Sequence, residues 1–272
     1  MSDKRAIGVF DSGLGGLTVV RELVKKMPNE DIIYFGDTGR VPYGSRSFNI
    51  IKRYAREDES FFLKHDVKLI VAACGTVSSV AADVSKSLPV PFFEVVSHAA
   101  AAAVKATSNN KIGVIGTAVT IKSQKHKEYI LKIDPTAEIY SCSCPMFVPL
   151  VEEGWYSEDD SVVIGTVERY LNPIKNAGVD TLILGCTHYP VLSGAIRKVM
   201  GDNVKLINAG TATADAVYNF LNDNSLLNDG QSEARHKFYV SDKADSFRKI
   251  ASSLLGEEID ESKVEQVDIG TV

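Results

Sequence analysis

Two cysteines follow two similar apolar segments of this chain. Cys74 comes directly after Leu69–Ala73, and Cys186 comes shortly after Thr181–Leu184. Each segment is short and rich in branched aliphatic residues, so each predicts a buried parallel strand. Open α/β sheets bind their ligands at the carboxyl ends of such strands. Two thiols at equivalent places in two halves of a chain therefore suit an acid and a base on opposite faces of one carbon.

Polar side chains follow both cysteines closely. Thr76 lies two residues after Cys74, while Thr187 and His188 come directly after Cys186. His188 can therefore influence the protonation of the Cys186 thiol. Both cysteines are predicted to lie where helices begin, and a helix dipole at that position favours a thiolate.

A glycine-rich turn, 11–16, follows the first predicted strand. It starts like a dinucleotide-binding fingerprint, but Thr18 occupies the position of the third glycine, and no phosphate-loop lysine follows. The backbone N–H groups of such a turn can still hold a carboxylate. The alternative is that Asp11 or Ser12 only caps the following helix.

Two further segments offer candidate side chains. The loop 37–44 contains Tyr43 and Gly44 and lies at the same predicted sheet edge, although a simple turn is the ordinary interpretation. Glu152 and Glu153 offer carboxylates, although such pairs are usually only solvated.

The composition excludes several classes of function. The 272 residues include 44% hydrophobic residues, which is typical of a globular protein. Their net charge of -5 argues against nucleic acid as a partner. We recognise no signal peptide and no membrane-spanning run, so we expect a cytoplasmic protein whose cysteines are reduced. Cys142 and Cys144 lack metal-site spacing and are predicted to be structural. With no metal or cofactor motif, the thiols indicate proton chemistry on a small acid.

Alternating strands and helices predict an α/β fold with doubly wound parallel sheets. The predicted strands are Ile7–Phe10, Ile32–Phe35, Leu69–Ala73, Phe92–Val96, Ile112–Ile115, Glu138–Tyr140, Thr181–Leu184, Lys205–Ile207 and Lys237–Val240. The segment Ile7–Gly13 resembles Ile112–Thr117, which indicates two pseudo-symmetric halves. We predict a first domain of residues 1–96 plus 209–272 and a second of 97–208, with the active site in the cleft between them.

Six motifs, in this order, resemble those of the aspartate/glutamate racemase family, over nearly the whole chain. They are Asp11-Ser-Gly-x-Gly-Gly16, Val41-Pro-Tyr-Gly44, Ala73-Cys-x-Thr76, Gly116-Thr-x-x-Thr120, Pro149-Leu-Val-Glu152 and Gly185-Cys-Thr-His-Tyr-Pro190. The resemblance implies cofactor-independent interconversion of L- and D-glutamate, which supplies D-glutamate for peptidoglycan. It also implies a small-molecule substrate and a homodimer.

The resemblance also implies roles for individual residues. Cys74 would take the α-proton from D-glutamate and Cys186 from L-glutamate, assisted by Asp11, Glu152 and His188. The substrate would be held by Asp11, Ser12, Tyr43, Gly44, Gly75, Thr76, Thr117, Thr120, Thr187 and His188.

Gly75 departs from the family pattern, which usually has asparagine there. Because an asparagine amide can bind the substrate, we expect Gly75→Asn to lower the KM for glutamate. The departure also keeps open a racemase for aspartate or another acidic amino acid. A non-catalytic binder of acidic amino acids is the third possibility, although binding alone needs no pair of thiols.

Overall fold

The computed structural model describes residues 2–81, 83–231, 233–242, 244–256, 258–260 and 263–269. Its strands are Ala6–Asp11 (β1), Ile32–Gly36 (β2), Val67–Ala72 (β3), Phe92–Glu94 (β4), Lys111–Gly116 (β5), Glu138–Ser143 (β6), Thr181–Leu184 (β7), Lys205–Asn208 (β8), His236–Val240 (β9) and Val264–Gln266 (β10). Its α-helices are Leu17–Lys26 (α1), Phe48–Leu63 (α2), Gly75–Val80 (α3), Val95–Ala106 (α4), Ala118–Ser123 (α5), Lys125–Ile133 (α6), Phe147–Glu152 (α7), Ser161–Asn176 (α8), Ser193–Met200 (α9), Ala209–Asp223 (α10) and Ala244–Leu255 (α11).

The strands form two parallel sheets. One has the order β10-β9-β2-β1-β3-β4 and the other β6-β5-β7-β8. The two cysteine-bearing strands are topologically equivalent, because β3 pairs with β1 and β7 pairs with β5. This arrangement confirms the predicted α/β fold with parallel sheets in two domains.

Successive residues of β1 enter hydrophobic cores on opposite faces of the first sheet. Ile7 and Val9 pack in one core, whereas Phe10 packs in the other with Phe62 and Ile70. A strand that is covered on both faces has apolar side chains along its whole length, so the sequence shows it as a continuous apolar run. Among the described helices, none combines the length and the apolarity needed to cross a bilayer.

The sheets divide the chain in a way that supports the proposed domain bounds. The first sheet uses residues 6–94 and 236–266, and the second uses 111–208. Helix α10 follows the second sheet and packs on α1 and α4. The proposed boundary near Ser97 falls within α4. The outermost bounds, residues 1 and 272, lie outside the described residues.

The predicted helix start is confirmed at Cys74, which is the N-cap residue of α3, but not at Cys186. Helix α3 ends already at Val80, because the segment is rich in serine and β-branched residues, which are weak helix formers. The Ser78 hydroxyl instead donates to the carbonyl of Ala72, 3.1 Å away. After Cys186 the chain forms a turn and the 3₁₀ helix Tyr189–Leu192, and α9 begins only at Ser193. The expected helix start at Cys186 is therefore wrong.

Candidate active site

A cleft of about 340 Å³ lies at the carboxyl ends of β3 and β7, and both cysteines line it. Both domains contribute to its wall. The lining residues are Ser12, Gly13, Val41–Ser45, Cys74–Thr76, Thr117, Ala118, Pro145, Val148, Pro149, Glu152 and Cys186–Tyr189. The structure therefore brings together most of the candidates from the sequence. Asp11 and Thr120 do not line the cleft.

Cys74 lies in an environment that keeps its thiol protonated. The side chain is 4% exposed, and its S–H donates to Ser12 Oγ, 3.5 Å away. Burial and the negative charge of Asp11 raise the pKa of Cys74 to about 12, although hydrogen bonds oppose the shift. Contrary to the expectation from the sequence, the start of α3 does not favour a thiolate at Cys74, because burial and the charge of Asp11 outweigh the hydrogen bonds that lower its pKa.

The charged neighbour of Cys186 is a histidine, whereas that of Cys74 is the carboxylate of Asp11. Its sulfur is 3.9 Å from His188 Nδ1, and His188 Nε2 is 3.2 Å from Glu152 Oε1. This second pair is at ion-pair distance but is not aligned as a hydrogen bond. Burial lowers the pKa of His188, but its contacts with Cys186 and Glu152 and the charge of Asp11 together outweigh burial and raise that pKa to about 10. These contacts favour the protonated, imidazolium form of His188 at neutral pH.

Asp11 lies behind the cleft at the end of β1, where its charge acts on Cys74 and on His188. It is fully buried, and its Oδ2 accepts from the amide of Gly13, 3.0 Å away. The hydroxyl of Thr187 donates weakly to its Oδ1 at 3.5 Å. Burial raises the pKa of Asp11, and the charge of His188 opposes the rise. Its position favours an electrostatic role over direct contact with a ligand.

Three threonine hydroxyls form a chain across the two domains. Thr76 Oγ1 lies 3.0 Å from Thr117 Oγ1, which lies 3.0 Å from Thr120 Oγ1. Thr120 thus orients Thr117 from outside the cleft. Gly44 packs against Thr117, where a β-carbon would come within 2.9 Å of the threonine Cβ. These contacts join the first domain's loop to the start of α5.

The hydroxyl of Tyr43 points away from the cleft, although the residue is one of its lining residues. It donates to Asp37 and lies 3.3 Å from Asp58 Oδ2. Arg40 joins the same buried cluster, with its Nε 2.5 Å from Asp37 Oδ2. The Tyr43 hydroxyl is therefore engaged by the cluster, and ligand binding by Tyr43 and Gly44 stays a prediction.

Gly75 lies at the contact between the two domains. As the first residue of α3 it has ordinary helical backbone, but a β-carbon there would overlap the carbonyl oxygen of Gly185. Backbone faces backbone at this contact, so a side chain fits only if the domains separate. The expectation that Gly75→Asn lowers KM is therefore corrected, since the amide has no room.

We expect Gly75→Ala to lower kcat/KM for the reaction at this cleft by about 10²-fold, because moving the domains by about 1 Å misaligns groups on opposite walls. Gly165→Ala, in α8, is the matched control, because its β-carbon meets nothing within 4 Å. Steady-state kinetics on both variants, with circular dichroism to verify folding, make the comparison. Native kinetics in Gly75→Ala would contradict this steric role.

The apolar part of the cleft wall was not recognised from the sequence as a set of functional residues. Val41, Pro42, Pro145, Val148 and Pro149 line one side of it. Three of them belong to motifs that were noted for their polar neighbours. An apolar wall excludes water and strengthens electrostatic interactions at the two sulfur atoms.

Comparisons with known proteins agree with this geometry. A model of the family described as Asp/Glu/Hydantoin racemase matches residues 19–217. The chain is 43% identical to the glutamate racemase of Geobacter metallireducens over 253 residues, or 93% of each chain. It is 43% identical to that of Enterococcus faecalis over 272 residues, which covers 99% of this chain and 98% of the relative. Its structure resembles the glutamate racemase of Francisella tularensis in complex with D-glutamate, with a TM-score of 0.92, 37% identity, and coverage of 99% of this chain and 100% of that chain.

Proposed function

We propose that this chain, which belongs to the Asp/Glu/Hydantoin racemase family, racemises glutamate by a two-base reaction of Cys74 and Cys186. The chain is an isomerase that interconverts L- and D-glutamate, as its nearly full-length similarity to glutamate racemases indicates. The roles of the individual residues and the independence from any cofactor are our proposal.

The contrast between the two thiols is the observation that carries the mechanism. Cys74 lies near a buried carboxylate and, with a pKa of about 12, keeps its proton. Cys186 lies 3.9 Å from His188 Nδ1, so the histidine can assist proton transfer at this sulfur. One thiol is thus suited to donate a proton and the other to accept one, as a two-base racemisation requires.

In this mechanism Cys186 removes the α-proton of L-glutamate and Cys74 protonates the opposite face. Reaction of D-glutamate starts from the reverse protonation state, with Cys74 as the base. Because Cα–H is a very weak acid, the developing carbanion needs fixed polar groups nearby. Ser12, Thr76 and Thr187 offer hydroxyls in the cleft, and Glu152 holds His188 from its far side.

We expect the enzyme, incubated with L-glutamate in D₂O and no added cofactor, to form D-glutamate that carries deuterium at Cα. The proton on Cys74 exchanges with solvent, so the new Cα–H bond takes its hydrogen isotope from the water. Chiral chromatography followed by mass spectrometry measures both the product and its label. Unlabelled D-glutamate, or a strict need for pyridoxal phosphate, would exclude the two-thiol mechanism.

The same assay with L-aspartate tests the alternative substrate. The curated relatives named above are glutamate racemases, so we expect turnover of glutamate to exceed that of aspartate. Faster turnover of aspartate would favour the alternative, and absence of turnover with both would favour a binding protein.

The setting of the reaction is a further part of the proposal. The D-glutamate formed is proposed to supply peptidoglycan synthesis in the cytoplasm.

Met146 and Val162 line one surface depression, and each is about half exposed. A homodimer, which the family resemblance implies, is also part of the proposal, and sedimentation of the purified protein would detect it.

A further inference from the structure

The loop 185–188, here called the Cys186 loop, is held in place by residues of the other domain. Thr18 in α1 is 1% exposed, and its hydroxyl donates to the carbonyl of Thr187 at 2.9 Å. We propose that Thr18 is a positioning residue, which holds the Cys186 loop where the sulfur can reach the substrate. This proposal rests on the function proposed above.

Two glycines of the first domain allow the close approach that this hydrogen bond needs. A β-carbon at Gly15 would overlap the side chains of Thr187 and His188, and one at Gly75 would overlap the carbonyl of Gly185. The first domain therefore touches the Cys186 loop from two sides through bare backbone. Such contacts set a distance but have no direction, whereas the Thr18 hydrogen bond has both.

The Thr18 hydroxyl has two neighbouring acceptors but only one hydrogen to donate. It lies 2.9 Å from the carbonyl of Gly15 as well as from that of Thr187. The Gly15 carbonyl already accepts from the backbone amide of Thr18 at 3.0 Å. The hydroxyl hydrogen can point to either carbonyl, and of these two bonds the one to Thr187 joins the domains.

Thr213 is a buried helical threonine whose hydroxyl bonds within its own helix and does not reach the other domain. It is fully buried in α10, and its hydroxyl donates to the carbonyl of Ala209 in its own helix at 2.8 Å. This bond back to the preceding turn is the common arrangement for threonine in a helix. Thr213 therefore provides a matched comparison for Thr18.

Loss of the Thr18 hydroxyl acts on the chemistry through the backbone of Thr187. Thr187 lies between Cys186 and His188, so a shift of its carbonyl moves both the sulfur and the imidazolium beside it. A displaced base slows proton transfer more than it weakens substrate binding, which other groups in the cleft share. The change should therefore appear in kcat more than in KM.

The test compares Thr18→Val, which keeps the shape but loses the hydroxyl, with Thr18→Ser, which keeps the hydroxyl. We expect Thr18→Val to lower kcat for glutamate about tenfold, the rate equivalent of one hydrogen bond, with little change in KM. Thr18→Ser should recover most of the native kcat. Thr213→Val should keep native kcat, even if urea unfolding shows an equal loss of stability in both valine variants.

Several outcomes would overturn the proposal. They are native kcat in Thr18→Val, a Thr18→Ser variant as slow as Thr18→Val, and an equal loss of kcat in Thr213→Val. If Thr18→Val does not fold, the pair Thr18→Ala and Thr18→Ser repeats the test, because these two differ only in the hydroxyl. Absence of racemisation by the native enzyme would instead refute the proposed function, so the two failures are distinguishable.

Discussion

Cys74→Ala and Cys186→Ala are each expected to lower kcat for glutamate racemisation by about 10²–10⁴-fold, because each removes a group that must donate or accept a proton. Both directions should be affected, since each cysteine is the acid in one direction and the base in the other. Each change removes a single sulfur atom at a strand end, so the fold should persist. Kinetics from both enantiomers, with circular dichroism and urea unfolding, measure the effects.

Cys142→Ala is the matched control for these variants. Cys142 lies in β6 as a partly buried free thiol and does not line the cleft. Its alanine variant should turn over glutamate at a near-native rate. An inactive Cys142→Ala together with an active Cys186→Ala would mean that the wrong thiols have been paired.

Lys68→Met is expected to lower the free energy of unfolding by about 3–5 kcal/mol, because it leaves a buried carboxylate without its partner. Lys68 and Glu30 have side chains that are 0% and 2% exposed, and Nζ lies 2.5 Å from Oε2. The Lys68 ammonium also donates to the carbonyls of Asp3 and Leu226, at 2.8 and 3.0 Å. The pair thus joins the N-terminal segment and a distant loop to the start of β3.

Lys26→Met provides the control for Lys68→Met. Lys26 Nζ lies 2.6 Å from Asp215 Oδ1, but both side chains are about half exposed. Water screens such a pair, so urea unfolding should change little. The double variant Lys68→Met/Glu30→Leu should recover stability, because no buried charge remains. Equal unfolding midpoints for the two lysine variants would show that the buried Lys68–Glu30 pair contributes no more to the free energy of unfolding than the exposed pair.

The expected effect on activity separates these two predictions. Lys68 is the second residue of β3, whereas Cys74 follows the end of that strand, so the buried pair lies at the edge of the sheet opposite the cleft. Folded Lys68→Met enzyme should therefore keep its kcat. The cysteine variants should show the reverse pattern, with stability retained and turnover lost.

The strands and the positions of the two cleft-lining cysteines could be predicted from the amino-acid sequence. A parallel strand buried on both faces is a continuous apolar run, so β1, β3, β5 and β7 could be recognised without their partners. The position of Cys74 and Cys186 followed, because parallel strands place their carboxyl ends at one edge of the sheet. The helices after the cysteines were harder to predict from the sequence, because the serine-rich α3 and the turn before Pro190 have weak intrinsic preferences for helix.

The electrostatics and the contacts of the site depend on how distant parts of the chain fold together. The high pKa of Cys74 depends on burial and on Asp11, which is distant in the chain. The raised pKa of His188 depends on Cys186 and on the distant Glu152, which outweigh burial. The carbonyl of Gly185 closes the space that an asparagine at position 75 would need, and the Thr18 hydroxyl reaches Thr187 on the other domain. These interactions join residues that only folding brings within a few ångströms. Desolvation, charge interactions and hydrogen bonds act over such short distances, and they cannot be predicted from a local sequence pattern.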